Sequence, residues 1–526
     1  MSSRADEIRR ILEQYPQYQE TLFCRGYLVT SRTLENLNAY PFYNQWLKTS
    51  CGKLNNGTEI NIYYHKWQNC CTYEENGISV TLIGHAYNPF DMKYQEIEII
   101  KDCLNAYKQS KEHFFSKVSE LTGIHLILLN DKNGMIAVQD CCGIMPVYYG
   151  ANSNDIYLAS HGQLVGDICG LEMSENIRDF INAPFYKIGI AQLCGLDTPF
   201  SELTMLSPNT CINLPDMKVE RFYPNNSLTT TSVATSDIER ILKNSIRLCT
   251  NKWKCSVSLT GGIDSKMTLA AANELYDKLN YFSFISSEAE GKDARAAHEI
   301  CLNLGLEHTI YTIPENESEI KDFGVIAEIM NHNQGYIRRK TGSDARKRAY
   351  LANHADIGLE IKSHVSEVGR AFYYKKLGKR KFRFPLTPRD MSNLAKRNFF
   401  NRSILRNMDD SYRRFIETTD FGDFPDGYDE TDMFYWENRM SAWGALVKQS
   451  FDVAHETTIP YNNRRLLEMF LSFTLEDRIA DVPQKVIIKN LNSKLFNMNI
   501  SNNNEMKSRK RILLERVFFE VNSKFN

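Results

Sequence analysis

The segment CSVSLTGGIDSKMTLAAANEL, Cys255 to Leu275, decides how this chain is read. Ser256 to Leu259 is a short run that reads as a buried strand. Thr260, Gly261 and Gly262 interrupt it, Asp264 and Ser265 stand where a helix begins, and from Met267 onward Ala, Leu and Met dominate. A strand that bends through two glycines onto a helix N-terminus makes an anion site. Backbone without side chains approaches closely, and the free N–H groups and helix dipole face the charge. The hydroxyls of Ser258, Thr260 and Ser265 add hydrogen-bonding groups, and Asp264 is placed to hold Mg2+ against phosphates. The reading is a nucleotide phosphate cradle. It is not of the Walker type, because no Gly-Lys-Ser/Thr ending follows. The plainer alternative is a strand–turn–helix with an ordinary glycine turn.

At 526 residues the chain has room for two to four domains of roughly 100–200 residues each. Apolar content of 42% and charge of 24% describe a globular protein with ample core. A net charge of −1 argues against a general nucleic-acid or membrane-surface role. Thirteen cysteines without regular spacing, and no signal-like or long apolar stretch, predict a reduced, cytoplasmic protein with no membrane segment. Neither vicinal pair, Cys70–Cys71 or Cys141–Cys142, has zinc-ligand spacing, and the cysteines read as small buried hydrophobes.

Downstream of the cradle, YFSFIS (Tyr281 to Ser286) and HTIYTI read as strands separated by a helix ending at Gly305. Strands alternating with helices predict a doubly wound parallel sheet with ligands at the strand C-termini. The chain before about Tyr223 reads as β-rich, with ISVTLIGHAY (Ile78 to Tyr87), IHLILLND (Ile124 to Asp131), GMIAVQD (Gly134 to Asp140) and DIYLAS (Asp155 to Ser160) between turn signals. A helix over about Tyr94 to Leu121 separates the first two. SDIERILKNSIRL is amphipathic, with Ser236 as its expected cap.

Ser-x-Thr-Gly-Gly-Ile-Asp-Ser, Ser258 to Ser265, resembles the SGGxDS pyrophosphate loop of the N-type ATP pyrophosphatases, with Thr260 keeping the hydroxyl of the usual Ser. Several phrases further resemble the asparagine synthetase, β-lactam synthetase and lasso peptide cyclase superfamily. GHAYN, QDCCGIMPVYYG, IYLAS and MLSPNTCINLP occur in the order of the class II glutamine amidotransferase phrases NGEIYN, DRFGIRPLYYG, YFASE and LPPGH. The resemblance implies an N-terminal α+β Ntn-type (αββα) domain over 1–225. Over 226–526 it implies a doubly wound ATP pyrophosphatase domain with a helical C-terminal lobe.

The glutaminase parts depart from that pattern. Met1, Ser2 and Ser3 open the chain, Cys24 lies far inside it, and Ile83 stands where an oxyanion-stabilising Asn is expected. No RGPD-like glutamine-binding segment occurs. The expected amine donor is therefore free ammonia or an amino group of the substrate.

DIGLEIKSHVSEVGRAFYY, Asp356 to Tyr374, occupies the place of the family segment SGEGSDELFGGY. The resemblance puts Ser366 on its second Ser, at the nucleotide, Glu367 on its magnesium-binding Asp and His364 on the catalytic Glu. An imidazole titrating near neutrality suits a base that deprotonates an attacking amine. Ser363 and Val365 replace the two glycines of SGEG. The resemblance also implies that backbone at Phe284 and Ile285 holds adenine, and that Lys507 or Lys510 in EMKSRKR stabilises charge on the phosphates. Pro460, Tyr461, Asn462, Arg464 and Leu467 match PFLDHRLVEFALSLP; Glu437 and Arg439 read equally well as a structural ion pair.

The basic, Phe-containing run from Lys375 to Arg406 is read as a solvated helix face or a lobe near an anionic substrate rather than a nucleic-acid surface, given the neutral whole. The expectation is an ATP- and Mg2+-dependent ligase that adenylates a small-molecule or peptide carboxylate and couples it to an amine. Oligomeric state is open, a homodimer included. Two other classes stay in view: a non-catalytic nucleotide sensor or scaffold, and an RNA-modifying pyrophosphatase.

Overall fold

The computed structural model describes residues 3–152, 155–183, 186, 192–230, 235–338, 341–379, 381–395, 402–500 and 509–523. Two antiparallel six-stranded sheets come from the first part of the chain. One joins β1 (Tyr27–Thr30), β2 (Trp46–Lys53), β3 (Glu59–His65), β8 (Tyr148–Ala151), β9 (Ile156–Ala159) and β10 (Thr204–Met205), in the order β10-β8-β9-β1-β3-β2. The other joins β4 (Cys70–Glu75), β5 (Ile78–Tyr87), β6 (Thr122–Asp131), β7 (Gly134–Gln139), β11 (Thr210–Leu214) and β12 (Lys218–Arg221), in the order β12-β11-β7-β6-β5-β4.

Residues of β5 and β6 are apolar on both faces, and their period of two sorts them into two cores. Val80, Leu82, Ile127 and Leu129 pack under helices carrying Ile99, Leu104, Phe114 and Val118. Ile83, Tyr87, Leu126 and Leu128 face Tyr27, Val29 and Ile62 of the other sheet. Beyond that sheet, Leu28, Tyr63 and Ala159 meet Ile8, Leu12 and Leu164 from a further helical layer. The layers therefore run helices, sheet, sheet, helices.

The single helix expected from Tyr94 to Leu121 is two helices, Glu96–Gln109 and Lys111–Ser119. Ser110 leaves helical geometry at φ −170°, ψ 166°, and its hydroxyl accepts the His113 N–H, capping the second helix. The helix expected to be capped by Ser236 runs Thr235–Lys252, so Ser236 lies in its first turn.

The third sheet is parallel throughout: β13 (Cys255–Ser258), β14 (Leu279–Ile285), β15 (His308–Thr312), β16 (Leu359–Ile361) and β17 (Glu456–Thr458), ordered β15-β14-β13-β16-β17. Strand order reverses between β13 and β16. At such a switch point the connections leave in opposite directions and open a crevice at the strand C-termini. The cradle loop and the segment Ser363–Arg370 follow those two strands.

Buried polar groups join the parts. Asn462 donates to Gly123 O (2.7 Å) and to Asp140 Oδ1 (2.8 Å), Asn463 donates to Glu120 O (2.7 Å), and Arg464 donates to Gln139 O (3.1 Å). The phrase Pro460–Leu467 thus contributes hydrogen bonds between the sheets. Glu437, fully buried, accepts Arg221 Nη1 at 2.7 Å and Nη2 at 2.9 Å. Its partner is Arg221, not the Arg439 expected from sequence; Arg439 instead donates to Gln192 and lies over the Trp443 ring. Removing one member of a buried pair strands the other charge away from water. Arg221→Met is expected to cost about 3–5 kcal/mol, read from the urea midpoint, and Arg221→Met with Glu437→Leu to recover most of it.

Candidate active site

At the end of β13 the chain bends through Gly261 and Gly262 into the helix Ile263–Ala271. Thr260 is exposed and Gly262 half-exposed, while Gly261 between them is buried, so the bend opens to solvent at Thr260 and Gly262. Gly262 has ordinary extended backbone, φ −74°, ψ 158°, so its missing side chain serves close approach rather than turn geometry. A Cβ there would meet only the Thr260 hydroxyl, at 3.2 Å.

Two of the expected phosphate-binding hydroxyls brace the loop itself. Ser265 Oγ accepts the Thr260 N–H at 2.9 Å, and Thr260 Oγ1 accepts the Gly262 N–H at 3.2 Å. Each acts there as acceptor, so its own O–H remains a donor toward an anion. Ser258 ends β13, half-buried beside the bend.

The segment after β16 comes against this bend. Ser363 hydrogen-bonds Thr268 of the cradle helix at 2.7 Å, and Ser366 Oγ donates to the Ser363 carbonyl at 2.8 Å. Arg370 Nη1 donates to Asp264 Oδ2, while Asp264 Oδ1 is buried with no hydrogen-bond partner. Burial pushes the Asp264 carboxyl up to about 6; Arg370 pulls it down and the Glu367 charge adds to the rise. Glu367 accepts Tyr435 O–H at 2.6 Å. The structure therefore brings together Asp264, Ser366 and Glu367.

It also adds groups with no local sequence signal. Arg370 Nε and Nη2 donate to Asp481 Oδ1 (2.7 Å) and Oδ2 (3.2 Å), and Lys375 Nζ lies 2.5 Å from the same carboxylate. Burial works against the Asp481 charge, but Arg370 and Lys375 hold its carboxyl below the usual range. Val365, in the place of the second SGEG glycine, keeps a positive φ of 78° despite its β-branch, and is buried. The glycine-like backbone persists at a strain of order 1–3 kcal/mol.

His364 stacks on Trp443, ring centroids 5.0 Å apart, with Nε2 buried and unpartnered. The near-neutral titration expected of it is not what its setting provides. Burial, with Lys362 and Arg439 nearby, lowers its pKa to about 4, leaving a neutral imidazole and a weak base at physiological pH. Trp443 and Tyr435 belong to the π-helix Tyr435–Gly444, whose wider turn sets both against this segment.

Phe284 is half-buried at the end of β14, with Lys347 Nζ 4.3 Å from its ring centroid; the Ile285 carbonyl accepts the Ile313 N–H at 2.9 Å. Lys507 lies outside the described residues, and Lys510 is exposed on the helix Arg509–Asn522. Cys24 is buried against Ile313, Phe323 and Val453, and burial pushes its thiol up to about 12, the opposite of an activated nucleophile.

Among the described residues no group of three or more His, Cys, Asp or Glu is arranged to hold a metal ion. Mg2+ asks for less, since it commonly takes one or two carboxylates plus phosphate oxygens and water. The unpartnered Oδ1 of Asp264, with Glu367 nearby, fits that donor set.

Residues 237–338 match the sequence model of the family described as asparagine synthase. The match spans the cradle and stops short of Ser363–Arg370. No curated protein matches the chain. Among solved structures, glutamine phosphoribosylpyrophosphate amidotransferase from B. subtilis, complexed with ADP and GMP, aligns at 13% identity and a TM-score of 0.23, covering 52% of this chain and 61% of that one. A second, described as the allosteric regulatory enzyme of purine biosynthesis, aligns at 14% identity and 0.24, covering 51% and 62%. The chain thus spans about three fifths of the length of each. So little superposes that neither informs the site.

Proposed function

We propose that the chain is an ATP-dependent carbon–nitrogen ligase that adenylates a carboxylate and passes the acyl group to an amine or to ammonia. The observation that carries the reading is the meeting of the Gly261–Gly262 bend and Asp264 with Ser366 and Glu367 across the β13/β16 switch point. The asparagine synthase match over the cradle supports it.

In this reading the bend and the helix N-terminus take the phosphates, with the Ser258, Thr260 and Ser265 hydroxyls as further donors. Asp264 and Glu367 would hold Mg2+, which neutralises charge on the departing pyrophosphate. A substrate carboxylate oxygen attacks the α-phosphorus as its bond to pyrophosphate breaks. The amine then attacks the acyl carbon, AMP leaves with the bonding electrons, and the amine proton passes to a base. Neutral His364 is the candidate acceptor, and its Trp443 stack fixes the ring. Lys507 or Lys510 is the candidate phosphate lysine and Phe284–Ile285 the candidate adenine edge.

Residues 1–225 are read as an Ntn-type domain without glutaminase chemistry, because Cys24 is buried and the oxyanion position holds Ile83 in the core. The domain then shapes the neighbouring site, 226–526, and the nitrogen comes from ammonia or a substrate amine. A small peptide, antibiotic-like or sugar-acid carboxylate is the proposed acyl class.

The test incubates the chain with ATP, Mg2+, ammonium and a panel of short peptides, sugar acids, β-amino acids, and amino- and dicarboxylic acids. Equimolar AMP and pyrophosphate, dependent on one carboxylate, is expected. A second reading, a nucleotide sensor without turnover, draws on the depressed basicity of His364 and the Arg370 contact on Asp264. Saturable ATP binding with no pyrophosphate under any acid in the panel favours that one.

A further inference from the structure

We propose that Arg370 is a resident phosphate ligand: its guanidinium, shared with Asp264, turns to the β- and γ-phosphates when a nucleotide enters. The inference rests on the ATP reading above and adds a residue that neither the phosphate-loop motif nor the Ser366–Glu367 alignment identifies.

Three observations carry it. The first is position. Asp264 sits in the first turn of the cradle helix, so the Nη1 that touches its carboxylate lies at the mouth of the anion site. The second is anchoring. Asp481 grips the Nε and Nη2 edges at 2.7 and 3.2 Å, and is itself backed by Lys375. The guanidinium is therefore held without Asp264, whose contact can be exchanged for a phosphate oxygen while Asp481 stays. A planar fork that meets a carboxylate along one edge offers another to a second oxyanion.

The third is backbone. The short 3-10 helix Ser366–Arg370 is bracketed by Val365 at φ 78° and Ala371 at φ 49°, both non-glycine residues in sparsely populated conformations. Strain on both sides of one turn fixes the direction in which Arg370 leaves it. The charges need such a group. Asp264, Glu367 and Asp481 together repel a triphosphate, and Arg370 with Lys375 supplies two of the three compensating charges before any metal arrives.

A purely structural ion pair makes different predictions, so the test reads binding rather than turnover. Calorimetric titration with inorganic pyrophosphate in EDTA, and with α,β-methylene-ATP over a range of Mg2+, is compared between the unaltered chain and Arg370→Met. The variant is expected to bind pyrophosphate about 10- to 100-fold more weakly and to need more Mg2+ for half-maximal nucleotide binding. Arg370→Lys is expected to restore part of the loss, because it returns the charge without the fork. It also serves as the test pair should the Met variant fail to fold, with a weakening of about 3-fold or more expected. Affinities within twofold of the unaltered chain in a folded variant, at every Mg2+ concentration, overturn the role of Arg370. If the unaltered chain binds neither pyrophosphate nor the nucleotide analogue, it is the ATP reading itself that fails.

Discussion

Replacing Asp264 with Asn is expected to lower ATP-dependent pyrophosphate release about 100- to 1,000-fold while leaving the chain as stable as before, or more so. The two halves of this expectation have one origin. The carboxylate stands half-buried at the helix N-terminus, with Oδ1 unpartnered and Oδ2 on Arg370. Burial and the neighbouring Glu367 charge make its ionised form costly, which is why its pKa climbs to about 6. A carboxyl whose folded-state pKa lies above its unfolded value destabilises the fold at neutral pH, where it is ionised, so neutral, isosteric Asn relieves that cost. Under the ligase proposal, activity would lose a charge proposed to hold Mg2+ that a neutral amide replaces poorly, an effect of about 3–4 kcal/mol on the transition state. Steady-state pyrophosphate release and urea unfolding of the same preparation check both halves. A loss of activity matched by a loss of stability would mark Asp264 as structural.

Acidification is expected to destabilise the protein through its buried histidines. His65, His125 and His161 are buried, and each is lowered to about 3, chiefly by burial. Neighbouring cations reinforce this: Arg25 and Lys66 at His65, Arg464 at His125, and Lys448 at His161. All three are neutral in the fold and titrate near 6.5 when unfolded. Their contribution is complete above about pH 6.5 and is lost as pH falls toward 3. Between pH 7.5 and 5 each forfeits about 2 kcal/mol, about 6 together. Asp264 and Asp432 act in the opposite sense, since burial raises both to about 6 and protonating them favours the fold. They return about 3 kcal/mol over the same range, while His308 and His364, each lowered to about 4 chiefly by burial, forfeit about 4 more together, so these seven groups lose about 7 net at pH 5, a loss that deepens below it. Urea midpoints at pH 7.5, 6 and 5 measure the slope. His161→Gln is expected to flatten it by about one proton.

How much of this was legible beforehand follows from where each signal lies in the chain. The cradle could be read because strand, bend and helix are contiguous from Cys255 to Ala271, and propensity, glycine and hydroxyl placement agree over that one stretch. The parallel sheet followed from strands and helices alternating at ordinary lengths, and the antiparallel sheets from runs such as Ile78–Tyr87. The break at Ser110 was missed because apolar residues continue at helical spacing across it, and a single serine that caps looks like one that does not. The π-helix left no trace, because four or five residues per turn place Tyr435, Arg439 and Trp443 on one side as an α-helix nearly does.

Partners far apart in sequence were illegible for a simpler reason. Arg370 and Asp481 are 111 positions apart, and Arg221 and Glu437 are 216 apart, so only the folded chain pairs them. The near-neutral titration expected of His364 failed on the same ground: desolvation belongs to its surroundings, not to its residue type.

The central claim is that the Gly261–Gly262 bend holds a triphosphate, and amide hydrogen exchange at that bend tests it most directly. With α,β-methylene-ATP and Mg2+ at saturation, exchange across 259–266 and 363–370 is predicted to slow about tenfold or more relative to the free chain. Protection confined to some other surface, with both segments exchanging as they do without nucleotide, would contradict it.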